Sequence, residues 1–501
     1  MSDASLALQQ AGAPKSRAAS AAFADSATSS IEGHDTTYPP TAFASQSSLP
    51  GQPLPSSPRS QRPMQSLPPA DHGKQAILFL ASATVVETVI WGLPSAYGVL
   101  LNFYQQHGVA GNGEGSGQGI LPVVAASMAS GLMYLLGPLV ALVLNPRPRW
   151  RSWAIRSGTV LCFVGLLSSS FATQAWQLLL SQGLLYSVGG SMVYYPTFSF
   201  LSEWFVARRG FANGICFAGT AVGGLIYPFV MDALLSKFGA ATTLQALAVS
   251  TAVLISASLP LLRPRLPLPS RNMSRSERDH DSTDPSNGSN KKKLWKSKRL
   301  LIFLVANFAQ AIGYFIVALY LPTFANAIGL TGAQGSAMLA AVNGTAVVSR
   351  VVIGIASDRM SPHIIGASTL TAACLAVLLL WGLASTSFVP LLIFSLALGL
   401  AAGGWTSLYA SVIQEAAKDD LRLAQTLFGL ISFTRGLGSI TTAPISSFLI
   451  THSWSEANAK TAYGVANGRF GSLVLAVGLA LGIAAGMELV ISLSRRAASR
   501  T

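Results

Sequence analysis

The chain has 501 residues, half of them hydrophobic and only 10% charged, with a mean hydropathy of +0.48 and a formal net charge of +14. Soluble domains carry about 25% charged residues, so this composition excludes an ordinary water-facing globule. Three cysteines without CxxC or Cys/His spacing give no sign of a disulfide scaffold or a metal site.

Residues 1–74 are rich in Ser, Ala, Pro and Gln and have no apolar period, so a disordered tail is expected there. Ser56, Ser57 and Ser60, beside prolines and Arg59, are its candidate phosphorylation sites. No signal peptide precedes the first apolar run near Gln75, which is expected to act as an uncleaved signal anchor. A bilayer-spanning helix needs ~20 mostly apolar residues. About twelve such runs follow, near 76–100, 119–144, 153–171, 177–203, 209–231, 240–262, 300–323, 333–356, 364–385, 388–413, 424–450 and 468–493. The polar stretch at 263–299 divides them into six and six and reads as a flexible linker that anionic headgroups attract. The chain therefore predicts an all-α polytopic membrane protein with about 12 transmembrane helices. Its parts are the tail 1–74, six-helix bundles at 75–262 and 300–494, the linker 263–299, and a short tail at 495–501.

Charge fixes the expected orientation. If the N-terminus is cytosolic, 28 of the 33 Lys and Arg fall in inner segments. Lys237, Lys460 and Arg469 fall outside, and Arg350 and Arg435 fall within the membrane. The positive-inside rule produces such a bias, so both termini are expected in the cytosol, and the basicity is a topology signal with no nucleic-acid partner implied. The sequons at Asn272 and Asn287 then never meet the glycosylation machinery, and a third at Asn343 falls inside the eighth span. Cys162, Cys216 and Cys374 each lie in a span and read as free, buried thiols.

The two halves are loosely alike. The fourth span ends GGSMVYYPTFSFLSEWF and the tenth reads AAGGWTSLYASVIQEAA, both placing small residues before aromatics and finishing on a carboxylate. Six plus six helices around a long middle loop is the layout of two parallel repeats about a central cavity.

Three stretches carry a resemblance. At 204–224 the sequence WFVARRGFANGICFAGTAVGG supplies Trp204-Phe205, Arg208-Arg209, Ala212, Gly214, Ala218, Gly219 and Gly223. At 349–359 stands SRVVIGIASDR, and at 434–446 TRGLGSITTAPIS. On these the chain resembles major facilitator superfamily transporters of the monocarboxylate-transporter-like branch common in fungi, over roughly 76–494. WGLPSAYGVLLNFY at 91–104 also looks like the end of their first span. The resemblance implies a single-chain, monomeric transport unit without a cofactor, in the plasma membrane or else a vacuolar or other endomembrane. Departures limit what is inherited. Where proton-coupled lactate carriers have a lysine after the first-span proline, Ser95 stands; where they have an eighth-span aspartate, Ala346 stands. Lactate–proton symport is therefore not implied.

An ionisable residue inside a membrane is by default a functional hypothesis. Arg350 is a candidate to pair with a substrate carboxylate; a snorkelling or Asp358-paired structural arginine is the competing view. Arg435, about mid-span, would bind an anion or lock to a neighbouring carboxylate. Glu87 is the only acid deep in the first span, and since burial favours the neutral carboxyl it is the candidate for proton coupling. Trp91, Tyr194, Tyr195, Tyr314, Tyr320, Trp405 and Tyr409, with Asn343, are candidate cavity residues for an amphipathic, anionic organic solute. Glu203, Arg208, Arg209, Asp358, Arg359 and Glu415 are candidate inner-gate residues whose ion pairs would break as the halves rock. No Walker A loop is present, so ATP drive is not expected. The expected function is secondary transport of a small carboxylated or amphipathic solute. Efflux of a secondary metabolite or drug by proton antiport is the alternative, and a non-transporting sensor with the same fold is the third reading.

Overall fold

The structure is a computed structural model that describes residues 68–108, 120–144, 147–266, 297–417, 421–452, 462–465 and 468–498. The expected tail up to residue 67 with its candidate serines, most of the linker with Asn272 and Asn287, and Lys418 and Lys460 lie outside the described residues.

Among those residues the chain forms helices and no strand. They are α1 Lys74–His107, α2 Ile120–Leu144, α3 Trp150–Ser169, α4 at 175–204, α5 at 209–238 and α6 at 240–258. The second set is α7 Lys298–Ala327, α8 Gly332–Ser357, α9 Pro362–Ala384, α10 Phe388–Ala417, α11 Leu421–Thr451 and α12 Gly471–Ala498. Among the described residues, eight helical segments are long and apolar enough to cross a membrane. One of them, Arg209–Ser258, has 50 residues. At 1.5 Å per residue it would reach ~75 Å, more than twice a ~30 Å hydrocarbon core. Gly239, with φ 74°, turns it back and makes two passes, α5 and α6. The remaining rods α3, α4 and α11 have spanning length but more polar character, as the serines of all three and the arginines of α3 and α11 show.

Local chemistry sets the breaks. Thr331 and Gln334 form a capping box at the start of α8, where the Gln334 amide donates to the Thr331 hydroxyl at 3.3 Å. Proline bends fall in matching helices of the halves: Pro94 in α1 and Pro322 in α7, Pro228 in α5 and Pro444 in α11. Residues 179–185 of α4 are wound looser than an α-helix, which frees Gln182 to accept from Tyr97 at 2.5 Å and donate to Tyr104 at 3.4 Å.

The two sets of six helices pack both within themselves and across one another. Within the halves, α1 packs on the α5–α6 pair, α3 on α4, and α12 on α7 and α9. Across them, α5 packs on α8 and α2 on α11. Small residues make both crossings possible. A Cβ on Gly354 would lie 3.0 Å from the Gly210 carbonyl, and one on Gly436 would lie 2.6 Å from that of Gly131. In lipid, where no hydrophobic drive joins helices, such approach supplies the packing energy. The small residues of α5 form two faces. Gly210 and Gly214 meet α8, whereas Gly219 and Gly223 meet Thr84 and Thr88 of α1. Cys162 and Cys216 are buried and Cys374 half-buried, all as free thiols.

Candidate functional site

A cleft opens on the face that carries the arginines of the α2–α3 and α4–α5 turns. It spans about 980 Å³ with its mouth included and is walled by the ends of α2, α4, α5, α10 and α11. Arg151 and Arg209 stand at its lining, with Gln414 and Gln425. Aromatics form its inner end: Phe198 stacks on Phe428 at 5.1 Å and lies 4.7 Å from Phe217, with Tyr195 and Tyr409 alongside.

One to two turns deeper along each helix lies a charged layer. Trp91 of α1, Tyr134 of α2 and Tyr194 of α4 form a cluster, with centroids 4.3 Å apart for Trp91–Tyr134 and 5.5 Å for Trp91–Tyr194. Arg435 sits against it from α11, its guanidinium 5.5 Å from the Tyr134 ring, 5.1 Å from Phe315 and 5.8 Å from Tyr314. Its Nη1 donates to Gln310 Oε1 at 2.7 Å. Glu87 is fully buried on α1, and neither of its oxygens has a hydrogen-bond partner. The Arg350 charge acts on it, but no ion pair within 4.0 Å joins them. Beyond the layer, toward the opposite end, Pro94, Ser127, Ser130, Phe315, Ser439 and Thr442 help line a second space of about 280 Å³.

The sequence candidates divide accordingly. Glu87, Trp91, Tyr194, Tyr314, Arg350 and Arg435 meet in or around this layer, and Tyr195 and Tyr409 line the cleft. Trp405 and Tyr409 both donate to Asn307 Oδ1, at 2.8 and 2.6 Å, while Asn307 Nδ2 donates to the Ile431 carbonyl at 2.8 Å. Tyr320 accepts from Ser446 at 3.2 Å, farther from the cleft. Asn343 does not join the layer. It donates to the Leu339 carbonyl at 3.0 Å and packs against Gly224, in the α5–α8 crossing. Arg350 donates through Nε to the Gly403 carbonyl at 2.9 Å and through Nη1 to the Phe217 carbonyl.

Of the candidate gate residues, Glu203 and Glu415 find ion-pair partners outside the candidate set. Glu203 bonds Arg151 at 2.7 Å rather than Arg208 or Arg209, because α4 ends at Trp204 and Phe205 is extended, which breaks the helical spacing. Arg208 and Arg359 are exposed. Glu415 pairs with Arg495 at 2.7 Å and lies 3.8 Å from His363, which itself lies 2.7 Å from buried Glu488. These pairs stay within one half. The contact that crosses is Asp358, at the end of α8, facing the backbone N–H groups of Gly210 and Phe211. Burial holds its carboxyl above the ordinary aspartate value, although those N–H groups act against the rise. Asp71 closes the same turn from the start of α1, accepting from Val206 at 2.9 Å and from Ala207 and Arg208 at 3.1 Å. Its burial favours the neutral form, but the N–H groups and His72 outweigh it and hold the carboxyl below the ordinary value.

Sequence reasoning missed Asn307, Gln310, Tyr134 and Gln182. The first two had a signal: amides three residues apart in an otherwise apolar span share one helix face.

The Major Facilitator Superfamily family model matches residues 80–443. An MFS transporter, asaE, of Aspergillus flavus is 26% identical over 395 residues, covering 77% of this chain and 83% of the relative. An MFS-type transporter, pynF, of Aspergillus niger is 26% identical over 393 residues, covering 77% and 84%. Monocarboxylate transporter 10 of Danio rerio is 26% identical over 298 residues, covering 60% and 57%. With membrane-length helices and no strand among the described residues, and the family model matching most of its length, the chain belongs to the major facilitator superfamily.

Proposed function

We propose that the chain is a secondary active transporter of a small carboxylated or amphipathic organic solute, working by alternating access and coupled to protons through Glu87. What supports this most is unpaired charge at mid-depth. Arg435 and Glu87 are buried ~20 Å along α11 and α1 at 1.5 Å per residue, and neither has an ion-pair partner within 4.0 Å among the described residues. Buried charge left unpaired is costly, and proteins keep it where a ligand or proton supplies the partner. Arg151 and Arg209 in the cleft lining raise the local concentration of an anion approaching from the basic face. That face belongs in the cytosol by the positive-inside rule, and we place the protein in the plasma membrane. The similarity to a monocarboxylate transporter agrees with a carboxylated cargo, although Ser95 and Ala346 depart from the lactate carriers' pattern.

Export of an amphipathic metabolite by proton antiport is the second reading. One observation favours it: the cleft opens on the basic face and is walled chiefly by Val140, Leu144, Phe198, Phe205, Phe217 and Phe428, a surface suited to apolar cargo from the cytosol. Uptake and efflux of a panel of labelled carboxylates, in a transporter-deficient host at two pH values, tests both. Import appears as faster accumulation at low external pH and export as lowered retention. Flux equal to that of the empty host for every solute would refute the transport reading.

A further inference from the structure

The turn from α2 into α3 and the first turns of α3 read PRPRWRSWAIR at 146–156, with four arginines. No Asp or Glu stands between Glu114 and Glu203, so the stretch has no acid near it in sequence. Arg151 turns inward, to Glu203 at 2.7 Å beside the cleft. Arg147, Arg149 and Arg156 are exposed, and among the described residues none of them has a carboxylate within 4.0 Å. Their charge calls for an anion from outside the described chain.

Two of the three are held in place by rings. The Arg147 guanidinium lies 4.7 Å from the Trp150 ring centroid, and that of Arg156 lies 5.3 Å from the Trp153 centroid. A guanidinium resting on a ring face keeps the N–H groups at its edge free for an anion. The two rings are 50% and 67% exposed, and tryptophan at the end of a span belongs to the membrane–water boundary. Trp150, Trp153 and Arg156 are three residues apart, so neighbouring positions on one side of α3 carry them in order. The same side continues with Val160 and Val164, 60% and 43% exposed, an apolar surface for acyl chains.

Depth separates Arg156 from an ordinary flanking charge. It lies ~9 Å along α3 from Trp150 at 1.5 Å per residue, between exposed Trp153 and exposed Val160. A lipid-facing charge there is costly unless it meets a headgroup. Arg208 and Arg359 are exposed as well, but they stand at the helix ends, and among the described residues no ring faces either guanidinium.

We propose that Arg147, Arg149 and Arg156, with Trp150 and Trp153, bind the headgroup of one anionic glycerophospholipid in the leaflet at the basic face, an acyl chain lying along Val160 and Val164. Because Arg151 of the same turn lines the cleft, the lipid and Glu203 hold that turn from two sides. The test is equilibrium binding of radiolabelled dioleoyl phosphatidylserine to the purified full-length protein in dodecyl maltoside micelles. It is expected to bind about tenfold more tightly than dioleoyl phosphatidylcholine, whose headgroup has no net charge. Arg147→Gln combined with Arg156→Gln is expected to weaken phosphatidylserine binding by about tenfold or more, as loss of two arginines at an anionic headgroup does. Arg359→Gln, the control at the α8–α9 turn, should stay within about twofold. Inorganic phosphate, an anion without acyl chains, is expected not to displace the lipid at equal concentration. If the double variant aggregates on size exclusion, Arg156→Gln alone carries the test, with an expected loss of about threefold or more. Equal affinity for the two lipids overturns the anionic class. Unchanged phosphatidylserine affinity in the folded variants overturns the site. An equal loss in Arg359→Gln would make the attraction a property of the whole basic face and overturns it too. Displacement by inorganic phosphate would make the ligand a free anion and overturns the lipid.

Discussion

The guanidinium of Arg350, on α8, donates to the backbone carbonyl of Phe217, on α5, in the other half of the molecule. A second bond at 2.9 Å ties the same group to Gly403 on α10. Phe217 is also part of the aromatic inner end of the cleft, 4.7 Å from Phe198. One side chain therefore connects the closure of the cleft to the contact between the halves, and any rocking motion must break or re-aim it.

Replacing that residue should act on turnover more than on binding. Arg350→Gln removes two bonds from a charged donor, each worth ~1.5–3 kcal/mol. We expect transport to fall about tenfold or more while affinity for a labelled carboxylate that the flux panel identifies as cargo stays within about threefold. Single-turnover binding compared with steady-state flux separates the two. A fall in affinity equal to the fall in flux would make Arg350 a ligand residue.

The two aspartates at the α4–α5 turn should respond to pH with opposite signs. Asp71 is held below its ordinary value, so the folded chain binds that proton less tightly than the unfolded chain. Its contribution is present above about pH 4 and is lost as pH falls through the folded value. Asp358 is held above its ordinary value, so its contribution is present at low pH and is lost as pH rises through the folded value. Asp71→Ala should lower the thermal midpoint at pH 7 by about 2–4 °C, as loss of a cap does, with the difference shrinking as pH falls below the ordinary aspartate value. Asp358→Asn should leave the midpoint at pH 7 unchanged or higher. Differential scanning fluorimetry across this pH range reads both.

The glycine contacts can be tested by adding one methyl group at a time. At Gly223 a Cβ would meet the Thr88 carbonyl and lie 3.1 Å from Gly92 Cα, backbone on both counts. At Gly214 its nearest contact is the Arg350 carbonyl at 3.1 Å, followed by Gly354 Cα at 3.7 Å. Overpacking costs ~1–3 kcal/mol, so Gly223→Ala should lower the thermal midpoint more than Gly214→Ala. The reverse order would place the tighter crossing at α5–α8.

Orientation is open to cysteine labelling. With Cys374 replaced, Ser236→Cys near the α5–α6 turn should react with a membrane-impermeant maleimide in intact cells. Met360→Cys, beside Asp358 and Arg359, should react only after permeabilisation. Both positions are exposed. The opposite pattern would invert the assignment of the basic face.

Much of the fold was legible because the bilayer makes each span announce itself through length and apolar content. The α5–α6 pair is instructive. The sequence placed separate runs at 209–231 and 240–262, and the helix in fact continues to residue 238 before Gly239 turns it, since a positive φ rather than polarity ends it. The charged layer was half legible. Glu87, Arg350 and Arg435 stand out from composition alone, but their partners do not. Gln310 and the Phe217 carbonyl become partners only through contacts 125 and 133 residues apart in the chain. Glu203 meets Arg151 in place of the α5 arginines for a local reason, the extended Phe205, which no charge spacing reveals.

The central claim is that a carboxylated solute crosses between the halves with a proton passing through Glu87. Reconstituted proteoliposomes under an imposed pH gradient, loaded with a labelled carboxylate that the flux panel identifies as cargo, test it directly. The wild type should show counterflow that the gradient accelerates, and Glu87→Gln should keep counterflow while losing the acceleration. Gradient-driven flux that is unchanged in Glu87→Gln, or no wild-type flux above protein-free liposomes, would contradict it.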